Sequence, residues 1–416
     1  VKRLLFLLLL ASCAHHTTHP SPDLVSIQLL DRNGFSETIS AHDRLSKYEA
    51  TDFLTPQPYQ KVVRVYGKAS VGKTASKIST YHANGQPWQY LEIENGRAHG
   101  KFFEWHPNGQ LKIEATVIEG TPDVSEMAQL SWFFDQTSSV FDEKGRLQAK
   151  IGYAKGLLEG LSLYFHENGA LARRIPYLKD QIDGLVELFD DQGTCLETIS
   201  YSLGEKDGKA EGRWPSSQLK YSETYQKGKL LFATYLTPDG KQIASIESGF
   251  GEQALFEDNL LATLITYKEG VIEGAVKNFN AEGHLVCSYE VKEGMKQGQE
   301  WHYFHSSQPK LCLEWDHDTI EGTSKTWYEN GILESQREMH GNKKHGTSFA
   351  WFSEGDLMLM EEYENDLLMK GSYYKKYEKK AVSKIENGSG VATLYDKEGK
   401  FLKKITYEKG LPEKES

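Results

Sequence analysis

Glycine returns to one place in this chain every 24 residues, and that period limits the possible folds more than any other feature. Gly145, Gly169 and Gly193 follow one another at this step, with Ser217 next. Asn259, Gly283, Ser307, Gly331 and Gly355 form a second run, and Gly85 to Gly109 is one further step. The period breaks between Gly109 and Gly145, is irregular around Gly240, and is eroded before Gly399. A fixed period of this length marks an array whose units pack on their neighbours instead of around one centre.

With the turn residue taken as position zero, the columns around it carry the physics. Four residues before it stands an aromatic, as in Tyr81, Trp105, Phe165, Phe279, Trp327 and Trp351. Two after it is usually leucine (Leu111, Leu171, Leu285, Leu333), and eight after it an apolar or aromatic residue (Val117, Tyr177, Tyr225, Trp315). Fifteen after it is a second glycine: Gly100, Gly160, Gly184, Gly208, Gly274, Gly298, Gly322, Gly346. The apolar offsets are even, which is the strand period and not the helix period. Leu111, Ile113, Ala115 and Val117 alternate with Lys112, Glu114 and Thr116, so one sheet face is apolar and the other hydrated.

The stretches "ENG", "PNG", "EKG" and "DQG" suit a three-residue hairpin loop, a type I turn closed by a left-handed residue. That loop sets the aromatic at −4 opposite the leucine at +2, a pair contributing about 0.2–1 kcal/mol. The second glycine is expected to serve the return turn. A lone hairpin is barely stable in water, so stacking must supply the stability. The fold class expected is all-β, an elongated antiparallel sheet array of stacked hairpins. At about 10 Å per unit it would extend for something like 100 Å.

"YENGILESQREMHGNKKHG" and "YHANGQPWQYLEIENGRAHG" resemble MORN-repeat variant units, and the resemblance extends over residues 81–411. It implies a tandem hairpin scaffold; the antitoxin-like label attached to such repeats describes sequence similarity more than chemistry. Ser217, Ser307 and Asn259 replace the turn glycine, and an insertion at 121–138 interrupts the array. The domain reading is an N-terminal cap over 24–80, repeats over 81–240 and 241–369, and a basic C-terminal repeat or cap over 370–416.

The N-terminus sets the expected address. Lys2 and Arg3 precede an apolar run from Leu4 to Leu10, too short to span a bilayer. It reads as a secretory signal peptide over 1–12 followed by a tether over 13–23. Leu10-Ala11-Ser12-Cys13 resembles the lipobox of bacterial lipoproteins, which implies acylation of Cys13 and attachment to a membrane through it. Ala14, where aspartate would favour inner-membrane retention, points to the outer membrane. His15, His16 and His19 lie in the tether and read as solvated.

Chemistry-bearing motifs are few. "GKASVGKT" satisfies the P-loop pattern through Gly67, Gly72, Lys73 and Thr74. A P-loop must open a helix within a parallel α/β unit, however, and here only "ASKISTYHA" separates it from the Asn84-Gly85 turn. Asp190-Asp191 and Glu361-Glu362 are neighbours, which on a strand point to opposite faces and cannot flank one bond. His302 and His305 are three apart, again opposite faces, and no metal-ligand spacing emerges. Cys287 and Cys312 fall at opposite parity in adjacent units, so these and Cys195 are expected as free thiols. A net charge of −11 argues against nucleic acid.

The functional expectation is a non-enzymatic, lipid-anchored scaffold or spacer of the cell envelope, with no cofactor or metal and a protein partner of unknown identity. The alternative is a module binding cell-wall glycan through the aromatic column, or lipid headgroups, for which the lysine-rich stretch 370–404 is the candidate contact. Nucleotide binding at residues 67–74 is a remote third.

Overall fold

The computed structural model describes residues 23–67 and 74–413. Cys13, His15, His16, His19, Gly72 and Lys73 lie outside the described residues. The described chain is nearly all strand, with two short helices, and consecutive strands pair antiparallel. None of its helices is long and apolar enough to cross a membrane. Two units divide it: the first runs to Gly184 and includes Phe189–Gly193, the second comprises Leu185–Leu188 and the chain from Thr194 onward.

Position zero has the expected geometry. Gly85 N–H donates to His82 O at 2.9 Å, His82 N–H to Gln86 O at 2.8 Å, and Gly85 has φ +90°. The same frame recurs at Gly109, Gly145, Gly169, Gly283, Gly331, Gly355 and Gly399, all at positive φ. Gly193, also at positive φ, keeps the turn bond to Asp190 O. Ser217 and Ser307 hold it without glycine, at φ +66° and +64°. The ladder bulges just before the aromatic, so −4 faces +2 as expected: Phe165↔Leu171, Phe279↔Leu285, Trp327↔Leu333 and Trp351↔Leu357.

The return turn differs from expectation. It is a two-residue turn ten and eleven places after position zero, with both residues at positive φ: Lys155-Gly156, Lys179-Asp180, Glu293-Gly294, His317-Asp318 and Asn365-Asp366. Such mirror-image turns match the twist of the strands they join. The second glycine therefore sits beyond the turn, inside the next strand, facing the +8 residue: Gly160↔Tyr177, Gly208↔Tyr225, Gly298↔Trp315, Gly346↔Tyr363. All eight glycines of this column are at positive φ, and at some a Cβ would also collide, although at Gly160 and Gly298 it would meet nothing within 4 Å. A Cβ at Gly322 would lie 2.2 Å from Glu314 Oε2 and at Gly346 2.0 Å from Glu338 Oε2. Those carboxylates accept the next N–H groups, Thr323 and Thr347, at 2.7 Å each.

Burial picks out a column that hydropathy did not. Seven places before position zero stand Ile78, Phe102, Ser138, Ser162, Val186, Ala210, Val276, Glu300, Ser324, Ser348 and Ala392, all buried. The −4 aromatics are only half-buried, apart from Tyr81 at 5% exposed. This buried column mixes serine, alanine and valine with the larger Ile78, Phe102 and Glu300, while the other −4 rings stay partly exposed.

In the first unit, β1 (Leu24–Leu30) pairs with both β2 (Ser36–Ile39) and β3 (Lys61–Tyr66), and β3 pairs with β4 (Ala75–Tyr81). Helix α1 (His42–Glu49) lays Leu45 onto Ile27, Leu29, Ile39 and Phe53. The insertion is shorter than 121–138: a loop and helix α2 (Glu126–Gln129) precede a strand that already begins at Phe133. Trp132 and Val124 from this insertion plug a cluster with Phe102, Leu91 and Val117, and Trp132 meets the Phe102 ring edge-on at 4.9 Å.

The irregular and eroded regions of the period have a structural cause, lying in the second unit. Gly228, Gly249 and Gly270 step by 21 residues instead of 24, and the shortened hairpins bring their return turns into a closed triangle. Gly249 N–H donates to Leu231 O at 2.8 Å, Gly270 N–H to Gly249 O at 3.0 Å, and Leu230 N–H to Gly270 O at 3.0 Å. The same circuit recurs with Gly388 to Met369, Gly410 to Gly388 and Leu368 to Gly410. Each encloses a small core and a glutamate capped by tyrosines. Glu223 accepts from Tyr225 and Tyr235 at 2.9 and 2.6 Å, Glu361 from Tyr363 and Tyr373 at 3.0 and 2.8 Å.

Candidate functional site

Both rims of the array are zipped by side chains. On one rim the Asn of each Asn-Gly turn donates to a carbonyl of the next turn: Asn84 to Pro107 and Asn168 to Asp191 at 2.6 Å, Asn330 to Ser353 at 2.9 Å. Beside it, His82, His106 and His166 bond the carbonyls of Trp105, Phe141 and Phe189, and Tyr328 donates to Trp351 O at 2.7 Å. On the other rim, Asp180, Asp318, Asn342 and Asp366 accept the N–H of Leu158, Lys296, Ile320 and Lys344 in the preceding unit, at 2.7 to 2.9 Å. A neutral bond such as those from asparagine contributes about 1 kcal/mol and one to an aspartate carboxylate about 1.5–3 kcal/mol, and repetition fixes the spacing of neighbours. Asn-Gly thus does more than turn the chain, which the sequence reading missed.

The outer face carries the half-buried aromatics. Trp301 stacks on Trp327 at 5.6 Å and 25°, and Phe349 on Trp351 at 5.9 Å and 23°.

One side-chain cluster on the inner face combines three kinds of donor. Cys287 and His302 are direct partners on the strands Leu285–Lys292 and Gly298–Tyr303, and Glu300 is two residues before His302 on the same face. Cys287 Sγ lies 3.8 Å from Glu300 Oε1 and 3.9 Å from His302 Nε2, while Nε2 and Oε1 are 2.8 Å apart. Lys296 Nζ holds the other carboxylate oxygen at 2.7 Å and is itself seated over the Tyr289 and Trp315 rings, 4.4 and 4.9 Å from their centroids. Burial alone would raise the Glu300 carboxyl, but Lys296 and His302 outweigh it and leave the group below the ordinary glutamate range. Burial, with the charge of Glu300, pushes the Cys287 thiol up. Glu282, His284 and His305 converge as well, all exposed.

The opposite-face argument for His302 and His305 does not apply, since the strand ends at Tyr303 and His305 stands in the turn that follows; sequence reasoning also paired neither with a cysteine. The signal was in the register: +4 of one unit faces −5 of the next across the return turn, which joins Cys287 to His302. Cys312 pairs with Trp301 on the other side of that strand, and Cys195, Cys287 and Cys312 are free thiols. Asp190 and Asp191 stand in a turn and not on a strand. Glu361 and Glu362 point apart, to tyrosines and to Lys370. Of the P-loop pattern, Gly67 follows β3 and Thr74 precedes β4, strands paired through Tyr66↔Ala75. The context is a β-hairpin, where a phosphate loop needs a helix.

Comparison with known proteins finds one family model that matches parts of the chain. The MORN repeat variant matches residues 98–118, 158–179 and 320–340. The three windows share one phase, each starting eleven residues before position zero. No curated protein matches the chain. Among solved structures it is similar to TcdB2-TccC3 without its hypervariable C-terminal region, at 11% identity over 84% of this chain and 26% of that one, with a TM-score of 0.14. It is also similar to a porin-like protein from Bacteroides uniformis ATCC 8492, at 13% identity over 59% of this chain and 95% of that one, TM-score 0.15. The chain spans about a quarter of the first of these, and scores this low carry no argument. The three matched windows are MORN-variant repeats, and each lies within hairpins of the array.

Proposed function

We propose that the chain is a non-enzymatic scaffold or spacer of the bacterial cell envelope, held to the outer membrane by an acylated Cys13 and engaging a protein partner along its repeats. The observation that carries the reading is the double rim of side-chain bonds, which sets each hairpin at a fixed spacing from the next. Rigid spacing serves recognition over an extended surface and does nothing for bond-making. Crosslinking in intact cells followed by mass spectrometry is the test. Recovery of one defined protein, attached through repeat residues, supports the scaffold; crosslinks scattered over abundant envelope proteins oppose it. Cys13→Ala is expected to shift the protein from membranes to the soluble fraction, and continued attachment opposes the anchor.

A second reading, binding of wall glycan, has one observation in its favour: the stacked, half-exposed Trp301 and Trp327 offer a flat apolar platform of the kind sugar rings cover. Retention on purified cell wall that persists at high salt and is lost in Trp327→Ala would favour it. Retention on anionic vesicles only at low salt would favour headgroups instead.

A further inference from the structure

We propose that Cys287, Glu300 and His302 form a binding site for a thiophilic divalent cation of the zinc class. The first argument is position. Glu300 is 6% exposed in a column where the adjacent units place Val276, Ser324 and Ser348. A buried carboxylate there costs desolvation that a serine or valine does not, so its presence calls for a partner. Lys296 supplies one, but on Oε2 only; Oε1 turns toward His302 and Cys287.

The second argument is geometry. Tetrahedral bonds of about 2.3 Å to sulfur and about 2.0–2.1 Å to nitrogen or oxygen put sulfur roughly 3.6 Å from each other ligand. The sulfur edges here are 3.8 and 3.9 Å, so adjustments of a few tenths of an ångström suffice on the sulfur side. The 2.8 Å Nε2–Oε1 contact must open as its hydrogen bond gives way to two metal bonds. Lys296 stays on Oε2 as the outer partner that orients a ligating carboxylate. The His302 side chain is 37% exposed, which leaves a route from solvent and a fourth position for water. One thiolate, one imidazole and one carboxylate suit zinc and its neighbours, whereas calcium and magnesium require oxygen throughout.

The test uses the full chain with Co²⁺ as probe. A thiolate-to-cobalt charge-transfer band saturating at one ion per chain, and displaced by Zn²⁺, is expected. It should vanish in Cys287→Ser, weaken by about tenfold or more in affinity in His302→Ala, and persist in His284→Ala. A band equally strong in Cys287→Ser, or none in the unsubstituted protein, overturns the site. Alkylation of the unsubstituted protein mapped by mass spectrometry guards against variants that do not fold. Zn²⁺ should slow modification of Cys287 while leaving Cys195 unchanged, and an unaltered Cys287 rate overturns the proposal.

Discussion

At Gly346 the chain combines a left-handed φ of +96° with a neighbour that leaves no room for a Cβ, 2.0 Å from Glu338 Oε2. At Gly283 the φ is similar, +81°, but nothing lies within 4 Å. Gly283→Ala should therefore cost only the backbone penalty, about 1 kcal/mol, while Gly346→Ala should cost roughly 2–3 kcal/mol because the Glu338 cap on Thr347 is lost as well. Denaturant midpoints of the two variants check the order; equal losses would show that the glycine beyond the return turn has no packing role. The period exposed both glycines to sequence reading, but the role of the second needed the carboxylate it faces.

At the level of the hairpin, stability resides in the rims. Asp366→Ala removes the acceptor for Lys344 N–H and an aspartate from a left-handed turn position, φ +70°. Faster hydrogen exchange at Lys344, with a loss of about 1–2 kcal/mol, is the expected outcome. Exchange unchanged at that amide would assign the rim bond no energetic weight. The triangular circuits answer to a different residue. Gly251 has φ +143° and a Cβ there would meet Ser245 O at 2.1 Å, as one at Gly390 would meet Lys384 O at 2.3 Å. Gly251→Ala should loosen the surrounding core of Tyr225, Leu230, Tyr235 and Ile246, read as enhanced exchange across 225–254 with the 320–350 hairpins unaffected.

For the molecule as a whole, the buried tyrosines dictate an alkaline limit. Burial pushes Tyr267 up to about 12, and burial with the Glu223 charge raises Tyr225 and Tyr235 further. Tyr363 and Tyr373 are raised likewise by burial and Glu361. Above pH 10 the unfolded chain loses phenolic protons that the folded chain keeps, so the folded state binds more protons and stability falls as pH rises. The stabilisation is intact below about pH 10 and declines through pH 12. Denaturant midpoints should drop over that window, with the last fraction of phenolate absorbance, beyond that of exposed rings such as Tyr377, appearing together with loss of near-ultraviolet dichroism. Complete phenolate formation well before unfolding would mean that the Glu223 and Glu361 clusters are open to solvent.

Period, turn chemistry and the −4 to +2 pairing were legible because they are local: a three-residue loop with a left-handed last residue fixes the register by itself. The resemblance to the MORN repeat variant rested on the same residues, and the three matched windows share their phase. The −7 column was not legible, since Ser162, Ser324, Ser348 and Glu300 carry no hydropathic signal and only the packing of neighbouring strands buries them. The same holds for α1, whose single buried side chain, Leu45, leaves no helical periodicity to read. The meeting of Cys287, Glu300 and His302, and the circuits through Gly249 and Gly388, depend on which strand lies beside which and how tightly three turns close. Those are properties of chain segments brought together from a distance, and no window of sequence contains them.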